Sequence, residues 1–328
     1  MSRTDRSHRP PLVLDHTTRE FVREHVCPSV PWGTDPGPAR AAAARLLGRA
    51  HPDDEVSEEW LSLPGGPGRP RIPTRILRPV GAGRPLPVVL FLHGLGWTLT
   101  DAAAHDRLLA DLALGADAAV VVPEYTRAPE ARYPVAVEQV HAVALWIAGQ
   151  GRGRGLDGGR TAVVGASSGA NLAAALTLLA KERGEVPLAH QVLVCPVTDA
   201  GLDTRSYRDF GEGYFLDRRT MRDFWRQYVP DPADRTRSTA SPLRATDAEL
   251  TGLPPALILT AEADVVRDEG ESYAARLRAV GVPVTSMRYH GTVHAFVLFD
   301  ALSGSEASRA ARIQMMDTLH TALHTWRT

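Results

Sequence analysis

Lysine is almost missing from this chain of 328 residues. Lys181 is the one lysine, and arginine carries the rest of the 37 basic side chains. With so much alanine and glycine, that bias reflects a GC-rich genome rather than guanidinium chemistry. Charge of one sign is missing too. The 38 acidic residues leave a formal net charge of -1 and a pI near 6.9, so electrostatics give no reason to expect nucleic acid or an anionic membrane as partner. Cysteine is scarce. Cys27 and Cys195 are too few for a disulfide framework and lack metal-ligand spacing, so the expectation is two free buried thiols in a reducing cytoplasm, with no metal. No apolar run is long enough to span a bilayer, and Met1–Pro11 is polar, with no apolar segment behind it, so a signal peptide is not expected. A cytoplasmic protein without membrane contact is the expectation.

What is present fits one large α/β domain with an appendage. The hydrophobic fraction of 44% is that of a globular protein. Residues 1–11 read as disordered. Short helical patterns follow around Thr17–His25 and Ala39–Ala50. Val56–Leu63 and Arg71–Pro79 read as an antiparallel strand pair, and the apolar run Pro87–His93 as a strand covered on both faces. From there strands and helices alternate: helix Ala102–Leu114, strand Ala118–Pro123, helix Val135–Ala148, strand Thr161–Val164, helix Leu172–Ala180 and strand Gln191–Pro196. Near the end come strand Ala256–Ala261, helix Glu271–Ala279, strand Val284–Tyr289 and helix Glu306–Thr325. Such alternation predicts a mostly parallel sheet flanked by helices.

Between Gly201 and Leu250 no strand is expected, but aromatic residues gather: Tyr207, Phe210, Tyr214, Phe215, Phe224, Trp225 and Tyr228. Met221, Phe224, Trp225 and Tyr228 have helical spacing. An ordinary packing face accounts for about half of these rings. The functional reading is a helical lid built from this insertion and the N-terminal helices. The resulting division is residues 1–50 as tail and cap helices, 51–200 as the first part of the core, 201–250 as the cap insertion and 251–328 as the C-terminal part of the core.

Chemistry concentrates at Gly165-Ala166-Ser167-Ser168-Gly169, where a serine sits in Gly-x-Ser-x-Gly between an apolar strand and an alanine-rich helix. A sharp strand-to-helix turn pushes the hydroxyl out above the sheet, and a Cβ at either glycine would clash there. Ser167 is therefore the candidate nucleophile. An activated serine needs a base and a group that orients the base, in the chain order serine, acid, histidine. The strand ending at Ala261 leads into Glu262-Ala263-Asp264, with Asp268 further on. The strand ending at Tyr289 leads into His290-Gly291-Thr292-Val293-His294. Asp264 and His294 are preferred; Asp268 reads better as a helix cap or salt-bridge partner, His290 as a structural histidine, and Asp199 as a weaker rival acid. The loop His93-Gly94-Leu95-Gly96-Trp97 stands where an oxyanion loop belongs, which makes the backbone N–H groups of Leu95, Gly96 and Ser168 the candidate oxyanion donors.

These motifs resemble, in order, those of the hormone-sensitive-lipase-like branch of the α/β-hydrolases, the bacterial family IV esterases. The match runs through the oxyanion loop, Tyr125-Thr126-Arg127-Ala128-Pro129-Glu130, the elbow, Ala261–Gly270 and Gly291-Thr292-Val293-His294. Gly213–Leu216 with Phe224-Trp225 and Tyr228 resembles the second cap segment of that family. The resemblance implies an α/β-hydrolase fold with a helical cap, and Ser167 as nucleophile, Asp264 as orienting acid and His294 as general base. It also implies a cap that forms the acyl or alcohol pocket, to which Trp97, Tyr214, Phe215 and Phe296 are assigned. Members are mostly carboxylesterases of short to medium acyl esters, need no cofactor and often form dimers. Here Leu95 replaces a glycine of the oxyanion motif, Ala166 an acidic residue before the serine, and Ala295 a polar residue after the histidine. Ser168 and Ala170 replace other small residues. None of these changes removes a catalytic side chain, and together they imply a specialised substrate. Amide deacylation, acyl transfer and a non-catalytic receptor on the same scaffold are the alternative readings.

Overall fold

The computed structural model describes residues 12–30, 33–47, 54–66, 70–83 and 85–325. The opening stretch expected to be disordered lies outside them, as does the end of the helix expected over Ala39–Ala50. Eight strands form one sheet: β1 (Val56–Leu63), β2 (Ile72–Pro79), β3 (Leu86–Leu92), β4 (Ala119–Pro123), β5 (Leu156–Ala166), β6 (His190–Val194), β7 (Ala256–Ala263) and β8 (Val284–Val293), in the order β1-β2-β4-β3-β5-β6-β7-β8. β1 pairs antiparallel with β2, and β2 with β4; every later pairing is parallel. β3 and β4 are buried at every position, as strands must be when helices cover both faces. β8, at an edge, is mostly exposed or half-buried.

The helices are α1 (His16–Glu24), α2 (Gly37–Leu47), α3 (Asp106–Gly115), α4 (Val135–Gln150), α5 (Ser168–Arg183), α6 (Arg205–Asp209), α7 (Arg218–Tyr228), α8 (Asp247–Leu250), α9 (Arg267–Ala279) and α10 (Glu306–His324). After β3 the chain moves outward to β4, then crosses back to place β5 on the other side of β3. That reversal opens a crevice at the carboxyl ends of β3 and β5, the place where open α/β sheets bind their ligands. The loop of Leu95 and the turn of Ser167 stand at those two ends.

Several boundaries differ from expectation for local reasons. α3 begins at Asp106, four residues late, because His105 lies in the left-handed region (φ 68°) and breaks any helix through it. α5 begins at Ser168, directly after the serine. α9 begins at Arg267, its first turn carrying Asp268 and Glu269 at the positive end of the helix dipole. β5 starts at Leu156 because a register shift at Pro87/Val88 lets β3 pair with it twice.

The strandless segment 201–250 holds α6, α7 and α8. α7 is capped by Asp217, whose carboxylate accepts from the Thr220 N–H at 2.6 Å, and buries Met221, Phe224, Trp225 and Tyr228 on one face. The N-terminal region is sewn to it: Gln227 Nε2 donates to the Val30 carbonyl (3.2 Å), and the Cys27 N–H donates to the Phe215 carbonyl (3.1 Å). Arg40 of α2 reaches further, donating to the carbonyls of Thr98 and Ala128 and pairing with Glu130 through two 2.7 Å bonds.

Candidate active site

The turn after β5 is built on two close approaches. A Cβ on Gly165 would lie 2.3 Å from the Gly169 carbonyl oxygen, and one on Gly169 would lie 2.0 Å from that of Leu92. Backbone occupies both places, so only glycine fits. The turn holds Ser167 at φ 58°, ψ -123°, a strained conformation for a residue with a side chain. Its N–H donates to the Val194 carbonyl (2.8 Å), which ties the turn to β6.

Strain and hydrogen bonds deliver the serine to its partners. Ser167 Oγ lies 2.8 Å from His294 Nε2, and His294 Nδ1 lies 2.8 Å from Asp264 Oδ2. The other carboxylate oxygen of Asp264 accepts the Val266 N–H at 3.1 Å. All three residues are buried. In a water-poor setting such bonds are strong and well oriented. Because both imidazole nitrogens are engaged, His294 has the connectivity of a base held between a nucleophile and an orienting acid. The Cys195 sulfur, Asp264 and His294 come within 4.8 Å of one another, a metal-like grouping by distance. Yet the imidazole already spends both nitrogens on Ser167 and Asp264.

The loop Leu95–Trp97, expected to receive the oxyanion, is shaped differently. Leu95, Gly96 and Trp97 take φ values of 58°, 71° and 58° in succession, two of them with side chains that disfavour such values. The Ser168 hydroxyl accepts the Trp97 N–H at 3.0 Å and so pins the loop to the elbow. Beneath it, the Thr100 hydroxyl donates to the Gly94 carbonyl (2.7 Å), which leaves its oxygen to accept from His93 Nδ1 at 3.2 Å. His93 stacks on Tyr125 with ring centroids 4.1 Å apart, and the Tyr125 hydroxyl donates to the His93 carbonyl. Burial pushes the His93 imidazole well below its usual pKa, with the charges of His105 and Arg127 adding to the effect. His93 is therefore a neutral brace for its loop.

From above, the rings of α7 close on the loop. Trp97 stacks on Tyr228 at 4.5 Å and meets Trp225 at 5.0 Å, and a Cβ on Gly96 would collide with the Phe224 ring at 2.4 Å. Of the residues assigned to the pocket, Trp97 alone is in this group of rings. Phe215 packs with Phe21 and Phe299, Tyr214 with Phe210, and Phe296 with Tyr289.

A family model described as alpha/beta hydrolase fold matches residues 89–298. Carboxylesterase NlhH of Mycobacterium tuberculosis is 37% identical over 262 residues, 79% of this chain and 81% of that protein. Ethyl acetate hydrolase of Pseudomonas putida is 35% identical over 78% of this chain and 80% of its own. Among solved structures, a thermostable esterase from Pseudomonas putida superposes with a TM-score of 0.89 at 38% identity, covering 97% of this chain and 100% of that one. The chain belongs to the hormone-sensitive-lipase-like branch of the α/β-hydrolases.

The rival residues of this hydrolase have other occupations. His290 is largely exposed and pairs with Glu262 at 3.0 Å, while Glu262 also accepts the Gly291 N–H. Asp268 accepts the Ser206 N–H at 2.8 Å and pairs with Arg267, which docks α6 onto the start of α9. Asp199 pairs with Arg244. Two neighbours of the site escaped the sequence reading. Phe224 is read from the sequence as part of a helix face and of the second cap segment, not as the ring against Gly96, and Cys195 only as a buried thiol. The signal for Cys195 is its place in the last residues of an expected strand, close to the other strand ends that carry the site.

Proposed function

We propose that Ser167, His294 and Asp264 carry out ester hydrolysis through an acyl-enzyme. The chain is a carboxylesterase-type hydrolase, as its relatives over four-fifths of its length indicate. One observation supports this assignment of roles above all: the unbroken run of 2.8 Å contacts from Ser167 Oγ through His294 to Asp264. In this reading His294 Nε2 takes the hydroxyl proton as Oγ attacks the ester carbonyl. Asp264 holds the Nδ1–H tautomer and stabilises the imidazolium. The N–H groups of Leu95, Gly96 and Ser168 receive the oxyanion. His294 then protonates the departing alcohol, and water repeats the sequence to release the acid.

The substrate reading is a short to medium acyl ester or a specialised metabolite ester. Two features support it: Leu95 crowds the oxyanion loop where the family has glycine, and Phe224 sits against Gly96. We assign residues 201–250 and the N-terminal helices to the cap, the remainder to the core, and Trp97, Tyr214, Phe215 and Phe296 to the walls of the pocket. A cytoplasmic homodimer without nucleic-acid partners completes the reading. Both cysteines are free and buried, which suits a reducing compartment, and no helix among the described residues is long and apolar enough to cross a membrane.

Ser167→Ala is expected to lower turnover of a short p-nitrophenyl ester by at least about a thousandfold. The thermal melt should stay unchanged, and labelling by a fluorophosphonate should disappear. Substantial remaining turnover would end the assignment. A panel of esters, amides and acyl acceptors distinguishes hydrolysis of esters from deacylation of amides and from acyl transfer.

A further inference from the structure

No step above uses Cys195, yet its sulfur lies where the loops of the acid and the base meet. The residue follows β6, is fully buried, and holds φ at 45°, a left-handed value uncommon for a residue with a side chain. Its N–H donates to the Leu259 carbonyl of β7 at 2.7 Å. Its Sγ comes within 4.8 Å of both the Asp264 carboxylate and a ring nitrogen of His294.

Asp264 has room for a further donor. Its side chain is wholly buried, with Oδ2 taken by His294 and Oδ1 by the Val266 N–H. An ionised carboxylate offers about four acceptor sites, and burying that charge is costly unless they are satisfied. A thiol is a weak donor, but this one is held neutral: burial, and then the Asp264 charge, push its pKa well above the usual thiol range.

We propose that Cys195 is a positioning residue of the triad, donating its S–H to the Asp264 carboxylate and holding the acid toward His294. The inference rests on the triad reading. Removing the donor concentrates the negative charge of Asp264 on its contact with the imidazolium. That stronger contact favours the imidazolium, and a less constrained acid slows the chemical step without altering substrate binding.

The test compares the full-length wild type with Cys195→Ala and Cys195→Ser, measuring kcat, KM, the pH profile of kcat/KM and the melting temperature on a short p-nitrophenyl ester. Cys195→Ala is expected to lower kcat by about threefold to tenfold, within what a hydrogen bond to a charged group supplies, with KM within about twofold. The acid limb of its profile should move to higher pH. Cys195→Ser, which restores a donor, should recover most of kcat and the wild-type limb. A wild-type profile for Cys195→Ala, or a serine variant that behaves like the alanine one, overturns the proposal. Should the alanine variant fail to fold, the infrared S–H stretch decides. A hydrogen-bonded band that returns to higher wavenumber in Asp264→Asn supports the proposal, and an unshifted band overturns it. Ser167→Ala separates the two levels: if it stays active the triad reading falls, whereas a dead Ser167→Ala beside an unaffected Cys195→Ala removes only the thiol.

Discussion

The elbow of Ser167 and the loop Leu95–Trp97 stand side by side at the ends of β5 and β3, and both contain residues with side chains at positive φ. They are held by different means. The elbow is fixed by backbone against backbone, with Gly165 and Gly169 packed onto carbonyl oxygens and Ser167 bonded to β6. The loop is fixed from below by His93, Thr100 and Tyr125, and from above by the rings of α7. One is part of the sheet's own interior, while the other borrows its shape from α7. Damage to the elbow should therefore cost the fold and the chemistry together. Damage at the loop should alter which esters are accepted and how fast they react.

Substitutions at the glycines can break that contrast. Gly169→Ala puts a methyl 2.0 Å from a strand carbonyl that has nowhere to go. Overpacking of this kind costs about 1–3 kcal/mol and sometimes more, so a markedly lower melting temperature is expected, with esterase activity below about a hundredth of wild type. A stable, active Gly169→Ala would refute the account of the elbow. Gly96→Ala meets a ring instead, and at φ 71°. Its melting temperature should fall less than that of Gly169→Ala, with kcat/KM lowered by about tenfold to a hundredfold. Adding Phe224→Leu should recover part of the loss and shift preference toward longer acyl chains, measured on a series of p-nitrophenyl esters. An unchanged chain-length profile would separate α7 from specificity.

The smallest effect concerns pH and neither region directly. Burial lowers His105 and His190 to about 4, so both bind protons less tightly folded than unfolded. Their contribution to stability is full above the ordinary imidazole pKa near 6.5 and drains away as pH falls toward 4. Melting temperature should therefore decline between pH 6.5 and 4, and His190→Gln should make that decline shallower. A variant with the wild-type slope would show that His190 titrates normally.

Much of the fold was legible because strand–helix alternation and turn residues are local signals. β1 and β2 pair as expected, and the sheet beyond them is parallel. The elbow was legible for the same reason, since Gly165 and Gly169 mark a steric need that the chain displays directly. Asp264 and His294 followed from order and strand ends, and the structure brings both to Ser167. The partners of the aromatic residues were not legible. Phe215 meets Phe21 and Phe299, rings distant in sequence, and such pairings exist only after tertiary packing. The left-handed turn at His105 gave no local sign and delayed α3 by a turn.

The bond between Ser167 and His294 joins residues 127 positions apart, with α5, β6, the segment of α6–α8, β7, α9 and β8 between them. Closing so large a loop has an entropic cost, and contacts of that range slow folding. A growing or refolding chain can complete the elbow early while its serine stays an ordinary alcohol, inert until β8 docks at the far edge. Recovered esterase activity would thus time the arrival of the last strand, and a nascent polypeptide carries no hydrolytic hazard until it is whole.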